Sequence, residues 1–228
     1  MLDSKFTKRF LSALFLGPLF LLVVYLGGFA FLGVITLCYL ICLYEIVSVS
    51  LKTSKKEVFV ILGFVYVTLG FVSFLSLRYT DIWFASLVVL LLGVWGSDIG
   101  AYFIGKRFGT EKPLPDLSPN KTSEGFMGAI FIPGALVAVS MMVLILFKFI
   151  ILPLSIFTFI GAFVMGCIIG GLGQIGDLIV SYLKRQAQVK DTGKVIPGHG
   201  GLLDRVDSLL FVSIFYPPLL MLFMKVVS

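Results

Sequence analysis

Charge is what this sequence has least of. Only 13% of its 228 residues are Asp, Glu, Lys or Arg, while 59% are hydrophobic; an ordinary soluble domain carries about 25% charge. Mean hydropathy reaches +1.09. A water-soluble globule of this composition would expose large apolar patches, so a soluble fold is excluded. There is a single histidine, which cannot build a His-based metal site alone. Cysteine is nearly absent too: Cys38, Cys42 and Cys167 stand in apolar stretches without paired metal-ligand spacing and read as small hydrophobes. No repeat of fixed period and no low-complexity segment is found, which excludes solenoid and collagen-like classes.

Long hydrophobic runs are what the sequence does contain. A membrane span needs about 20 mostly apolar residues, and seven runs meet that demand: residues 10–26, 29–48, 58–77, 82–105, 125–147, 149–182 and 203–227. The expected fold class is all-α, a polytopic transmembrane helix bundle of about seven spans with its N-terminus in the cytoplasm. The sixth run is too long for one simple span; it either continues as a helix beyond the membrane or breaks near the glycines at 170–176. From an inner N-terminus, all but three of the 18 basic residues fall on the cytoplasmic side, the exceptions being Arg78, Lys148 and Lys225. That matches the positive-inside bias. The net charge of +6 then reflects topology and attraction to anionic headgroups, and calls for no nucleic acid. A basic start ahead of residues 10–26 has the outline of a secretory signal, but no small-residue cleavage site follows, so an uncleaved span is expected. One membrane-embedded domain is expected to account for residues 1–228.

Ionisable groups in such spans are costly and are functional candidates by default. Glu45, Asp98, Asp177, Asp204 and Asp207 fall in or at the ends of apolar runs, all toward the inner side. Glu45, near a helix end, reads most simply as reaching interfacial water. Asp204 and Asp207, three residues apart, share one face of a helical turn. Such a pair suits a hard cation such as Mg²⁺, although acids that stabilise a helix N-terminus would look the same. The run Pro197-Gly198-His199-Gly200-Gly201 just before them lets backbone N–H groups approach an anion closely. Lys184, Arg185, Lys190 and Lys194 lie between Asp177 and that pair, so cations and metal-type ligands interleave over residues 177–207. Phosphoryl transfer demands this combination, because its catalysis is mostly positioning and neutralisation of phosphate charge.

A second polar segment, residues 106–125, is rich in turn formers. Thr122 or Ser123 is placed to cap the next helix, with Glu124 in its first turn and Lys121 facing a phosphate. Gly171-Leu172-Gly173-Gln174-Ile175-Gly176 matches the dinucleotide fingerprint by letter, but it follows a membrane helix where that motif needs a strand. Its glycines, like those at 96 and 100 or 166 and 170, are expected to permit close helix contact. His199 suits a hydrogen-bonding or loop-positioning role.

From Ser181 to Asp207 the chain reads Ser181, Lys184-Arg185, Lys190-Asp191, Gly193, Pro197, His199-Gly200-Gly201, Asp204-Arg205 and Asp207. This string resembles the signature of the phosphatidate cytidylyltransferases, also called CDP-diacylglycerol synthases. Ser97-Asp98, Ala101-Tyr102, Gly105, Leu117-Ser118-Pro119 and Lys121-Thr122 are similar to that family's second recurring region, so the resemblance covers essentially the full chain. It implies transfer of a cytidylyl group from CTP to phosphatidic acid, giving CDP-diacylglycerol and pyrophosphate. It further implies a Mg²⁺-dependent multi-pass enzyme of the inner (plasma) membrane, acting as a homodimer with its site facing the cytoplasm. On this resemblance Asp177, Lys184, Arg185, Asp204 and Asp207 are catalytic, and Asp177, Asp204 and Asp207 hold Mg²⁺. Lys121, Ser118, Lys190, His199, Gly200, Gly201 and Arg205 meet substrate phosphates, and Asp98 positions a cation or takes a second ion. The chain is shorter than the usual member, and the shortfall falls between the second and third spans. Loss of an even number of spans there leaves the topology of the catalytic end unchanged.

Two other readings compete. A cation transporter using Asp98, Asp177 and Glu45 predicts acids near the midplane and a polar exit on both sides, whereas the outer halves of the spans are nearly free of charge. Another CTP-dependent lipid enzyme, a polyisoprenoid kinase or an ether-lipid cytidylyltransferase, would differ in the shape of its lipid pocket. The fate of labelled CTP separates these two.

Overall fold

The computed structural model describes residues 22–25, 27–195 and 200–227. Six long helices stand among them: α1 (Gly28–Ser50), α2 (Lys56–Leu77), α3 (Trp83–Phe108), α4 (Ser123–Leu146), α5 (Ile156–Gln186) and α6 (Leu203–Val227). Each is long and apolar enough to cross a membrane, and the chain is a multi-pass membrane protein. They correspond in order to the last six expected spans. The first expected span, residues 10–26, lies outside the described residues except for residues 22–25, which are helical. Large apolar side chains such as Phe29, Ile61, Val72 and Met221 are exposed, as suits helices whose solvent is lipid. The three cysteines are free.

Local chemistry sets where the helices begin. The sixth run starts as a helix only at Ile156, because Ser155 caps it: Ser155 Oγ accepts from the N–H of Thr158 at 3.2 Å, with Pro153 just upstream. From there α5 runs unbroken through the glycines at 170–176, which settles the two alternatives for that run in favour of continuation. Its 31 residues make a rod of about 46 Å at ~1.5 Å per residue. The hydrocarbon layer is about 30 Å thick, so the last turns of α5, with Lys184 and Arg185, outrun it.

Packing divides the chain into two compact units. One holds the described residues up to Thr68 together with Leu183–Val206, and so includes α1, most of α2, the end of α5 and the first turn of α6. Here a Cβ on Gly63 would lie 2.6 Å from Ile46 Cγ1, so α1 and α2 lie close, and Tyr39 and Thr68 hydroxyls meet at 3.1 Å. The other holds Leu69–Tyr182 and the chain from Asp207 on. In it α3 and α4 touch backbone to backbone: a Cβ on Gly128 would sit 2.5 Å from the Gly100 carbonyl oxygen. A Cβ on Gly166 of α5 would likewise meet the Pro133 carbonyl of α4 at 2.5 Å. Small residues thus bring these helices together as expected, except at Gly171, where an added Cβ would meet nothing within 4 Å. Tyr216 of α6 is fully buried and donates its hydroxyl to the Ser86 carbonyl of α3 at 2.9 Å.

Candidate functional site

In the second unit, the end of α3, the loop after it, the start of α4 and the last third of α5 surround a cavity of about 290 Å³. The loop is tied down locally. Thr122 caps α4 by accepting from the Gly125 N–H at 3.1 Å, and Glu124 accepts from both the N–H (3.1 Å) and the hydroxyl of Thr110. Lys121, one residue before the cap, is thereby aimed into the cavity. Its Nζ lies 2.6 Å from Asp177 Oδ2 and donates to Gln174 Oε1 at 2.9 Å. Gln174 is only 5% exposed; its Nε2 donates to Ser97 Oγ at 3.0 Å, and that hydroxyl donates to the Gly170 carbonyl at 3.2 Å. The amide cannot turn without breaking this chain, so its oxygen stays on Lys121. Asp98, Ser118 and Asn120 line the same space.

In the first unit, Asp204 is surrounded by donors. Lys184 Nζ stands 2.7 Å from Oδ1, while Oδ2 accepts from Thr192 N (2.8 Å), Thr192 Oγ1 (3.0 Å) and Gly201 N (3.1 Å). Glu45 does not reach water as expected: it is 1% exposed. Its carboxylate accepts from the N–H of Leu202 at 3.0 Å and of Leu203 at 2.8 Å. The physical reason is the start of α6, whose leading N–H groups have no partners inside the helix and need an acceptor. The anion approached by the N–H groups after Gly200 is therefore the protein's own pair of carboxylates.

The remaining expected site residues are placed as follows. Arg185, Lys190 and Arg205 are exposed in the first unit, and Gly200 takes a left-handed φ of 90° there. His199 lies outside the described residues. Asp207 belongs to the second unit, is 6% exposed, and accepts from the Ser208 N–H at 2.8 Å. Beside it α5 and α6 approach closely, since a Cβ on Gly176 would lie 2.9 Å from the Asp207 carbonyl oxygen. Asp177, next to Gly176, and Asp207 thus flank one helix contact. Gln174 was missed because it sits inside a stretch dismissed as a false nucleotide motif; a buried amide in an apolar run was the available signal.

These donors are all oxygen, which is the chemistry Mg²⁺ selects, and such an ion takes only one or two carboxylates besides waters and substrate phosphates. Asp177, 34% exposed, and Asp207 fit that demand. Among the described residues no three His, Cys, Asp or Glu side chains form a metal cage, and this ion does not require one. An ion at Asp204 would have to displace Lys184 or one of the other donors there.

Residues 48–223 match the model of the Cytidylyltransferase family. The chain is similar to the phosphatidate cytidylyltransferase of Bacillus subtilis (strain 168), at 39% identity over 190 residues, 81% of this chain and 65% of that protein. It is also similar to the phosphatidate cytidylyltransferases of Staphylococcus saprophyticus, 35% identical over 180 residues, and Staphylococcus aureus (strain COL), 34% identical over 180 residues. Each of these two alignments covers 79% of this chain and 65% of the relative. The chain therefore spans just under two thirds of the length of the curated relatives it matches.

Proposed function

Since the chain belongs to the cytidylyltransferase family, we propose that it transfers the cytidylyl group of CTP to phosphatidate, forming CDP-diacylglycerol and pyrophosphate. The observation that carries this reading is the cavity in which Lys121 faces Asp177 and Gln174, inside the stretch that matches the family. The names of the relatives supply the substrates.

The lipid phosphate is anionic at neutral pH and needs no side-chain nucleophile. One of its oxygens bonds to the α-phosphorus of CTP while the bond from that phosphorus to the bridging oxygen breaks, and pyrophosphate leaves with the electron pair. What remains for the protein is positioning and charge neutralisation. Lys121 presents its ammonium to the entering phosphates, and Ser118 and Asn120 offer hydrogen bonds from the loop. Asp177 and Asp207 would hold Mg²⁺, which would neutralise phosphate oxygens as a Lewis acid. Arg185, Lys190 and Arg205 supply the cationic face of the signature. The loops after α1, α3 and α5, together with the helix ends that flank them, carry 12 of the 18 basic residues, which supports a cytoplasmic site in a bacterial plasma membrane. There CTP arrives from water while the acyl chains stay among the helices. The homodimer implied by the family belongs to the same reading, and cross-linking in membranes tests it.

The main experiment supplies membranes containing this protein with phosphatidate and CTP labelled at the α- or the γ-phosphate, with and without Mg²⁺. Expected is α-label in the lipid product, only with the ion. Label from the γ-phosphate would indicate a lipid kinase instead, and label from neither would sink both readings.

A further inference from the structure

Glu45 lies outside the matched stretch, residues 48–223, yet its buried carboxylate ties α1 to the start of α6. A carboxylate 1% exposed is tolerated only when its lone pairs are met. Oε1 takes the N–H of Leu202 and Oε2 that of Leu203, with Thr192 Oγ1 at 3.1 Å from Oε2. The same hydroxyl lies 3.0 Å from Asp204 Oδ2, so Thr192 joins two carboxylates and shares one proton between them. The backbone is cleared for this arrangement. A Cβ on Gly193 would overlap Glu45 Oε1, and one on Gly201 would overlap Thr192 Oγ1 and come within 2.6 Å of Glu45 Oε2. Two glycines of the signature region are therefore required by a residue that lies outside it.

We propose that Glu45 is a positioning residue for the transfer. From α1 it fastens Thr192, Leu202 and the first turn of α6, and so fixes the aspartates that α6 carries. This rests on the cytidylyl-transfer reading. Glu45 touches neither substrate nor ion; it acts through Thr192 and through the N–H groups that start the helix. Without it those N–H groups lose their acceptor and the first turn frays. Asp204 sits in that turn, and Asp207 follows three residues later. Removing an outer group that orients ligand carboxylates typically costs about 10–100-fold in metal affinity or activity.

The test compares the full chain in lipid nanodiscs with Glu45→Gln, Thr192→Val and Thr192→Ser. In Glu45→Gln the side-chain NH₂ faces a backbone N–H that the carboxylate used to accept. Expected for this variant are a kcat lower by about 10–100-fold, a higher Mg²⁺ concentration at half-maximal rate, an unchanged KM for phosphatidate, and faster amide exchange at Leu202 and Leu203. Thr192→Val moves the same readouts less, and Thr192→Ser, which restores the hydroxyl, returns them to parental values. Activity that merely tracks the folded fraction, at an unchanged Mg²⁺ requirement, overturns the proposal; so does a folded Glu45→Gln with parental kcat. Should Glu45→Gln fail to fold, the Thr192 pair decides, and equal Mg²⁺ requirements in the Val and Ser variants overturn it. Should the parent chain form no CDP-diacylglycerol, the transfer reading fails by itself, and amide exchange left unchanged by Glu45→Gln is what overturns the fastening.

Discussion

The ion pair Lys184–Asp204 in one unit and the ion pair Lys121–Asp177 in the other have almost the same length, 2.7 and 2.6 Å, but differ in what surrounds them. Asp204 is 5% exposed at its side chain and accepts from Lys184, Thr192 and Gly201. Asp177 is 34% exposed, lines a cavity, and has Ser181 Oγ at 3.3 Å as its other donor. Ion-pair length therefore says little about purpose. A carboxylate whose acceptor sites are filled by its own chain fastens structure, while one that still faces an opening can meet a phosphate or a cation.

The largest expected effect would break or keep that contrast at Asp177. Asp177→Asn is expected to lower turnover by roughly a thousandfold, in the range seen when a preorganised charge-stabilising group is removed. Folding stability should change by less than about 1 kcal/mol, since a partly exposed pair contributes little. Radiolabel transfer and thermal unfolding in detergent measure the two sides. A severe loss of stability at parental turnover would place Asp177 with the fastening groups. Lys184→Met comes next. It leaves the Asp204 carboxylate buried without its cation, which costs about 3–5 kcal/mol for a buried pair broken on one side. The unfolding midpoint should fall accordingly, and adding Asp204→Leu should not restore it, because the Thr192 and Gly201 N–H groups then lose their acceptor.

The contrast was only partly legible in the sequence. The spans could be read because a bilayer imposes one rule, about 20 apolar residues per crossing, and the described helices follow it. The start of α5 was not, because residues 149–155 are as apolar as the helix and only the Ser155 cap decides. Asp177, Lys184 and Asp204 stood out as charges in apolar surroundings. Their pairings did not, since helix ends choose acceptors in space: Glu45 bonds to Leu203 from 158 positions away. The sequence suggests a phosphate partner for Lys121, while its link to Gln174, 53 positions on, has no local signature. A buried amide amid glycines reads as packing until its partners are known.

The smallest expected effect is at Gln174, which sharpens the comparison because it combines both kinds of bonding. By place it belongs to the cavity; by burial it resembles Glu45. Gln174→Leu keeps a similar volume and removes the bonds to Lys121 and Ser97. Two hydrogen bonds are lost, while the Ser97 hydroxyl keeps the Gly170 carbonyl, so about 2 kcal/mol is the expected stability change. Lys121 keeps Asp177, but its flexible stem and freely rotating ammonium are no longer held from a second direction. Steady-state kinetics should show kcat lower by about tenfold, equivalent to ~1.4 kcal/mol of barrier, with the KM for CTP changed less. Parental kcat together with the stability loss would class Gln174 as a fastening group, leaving Lys121 to be oriented by Asp177 alone.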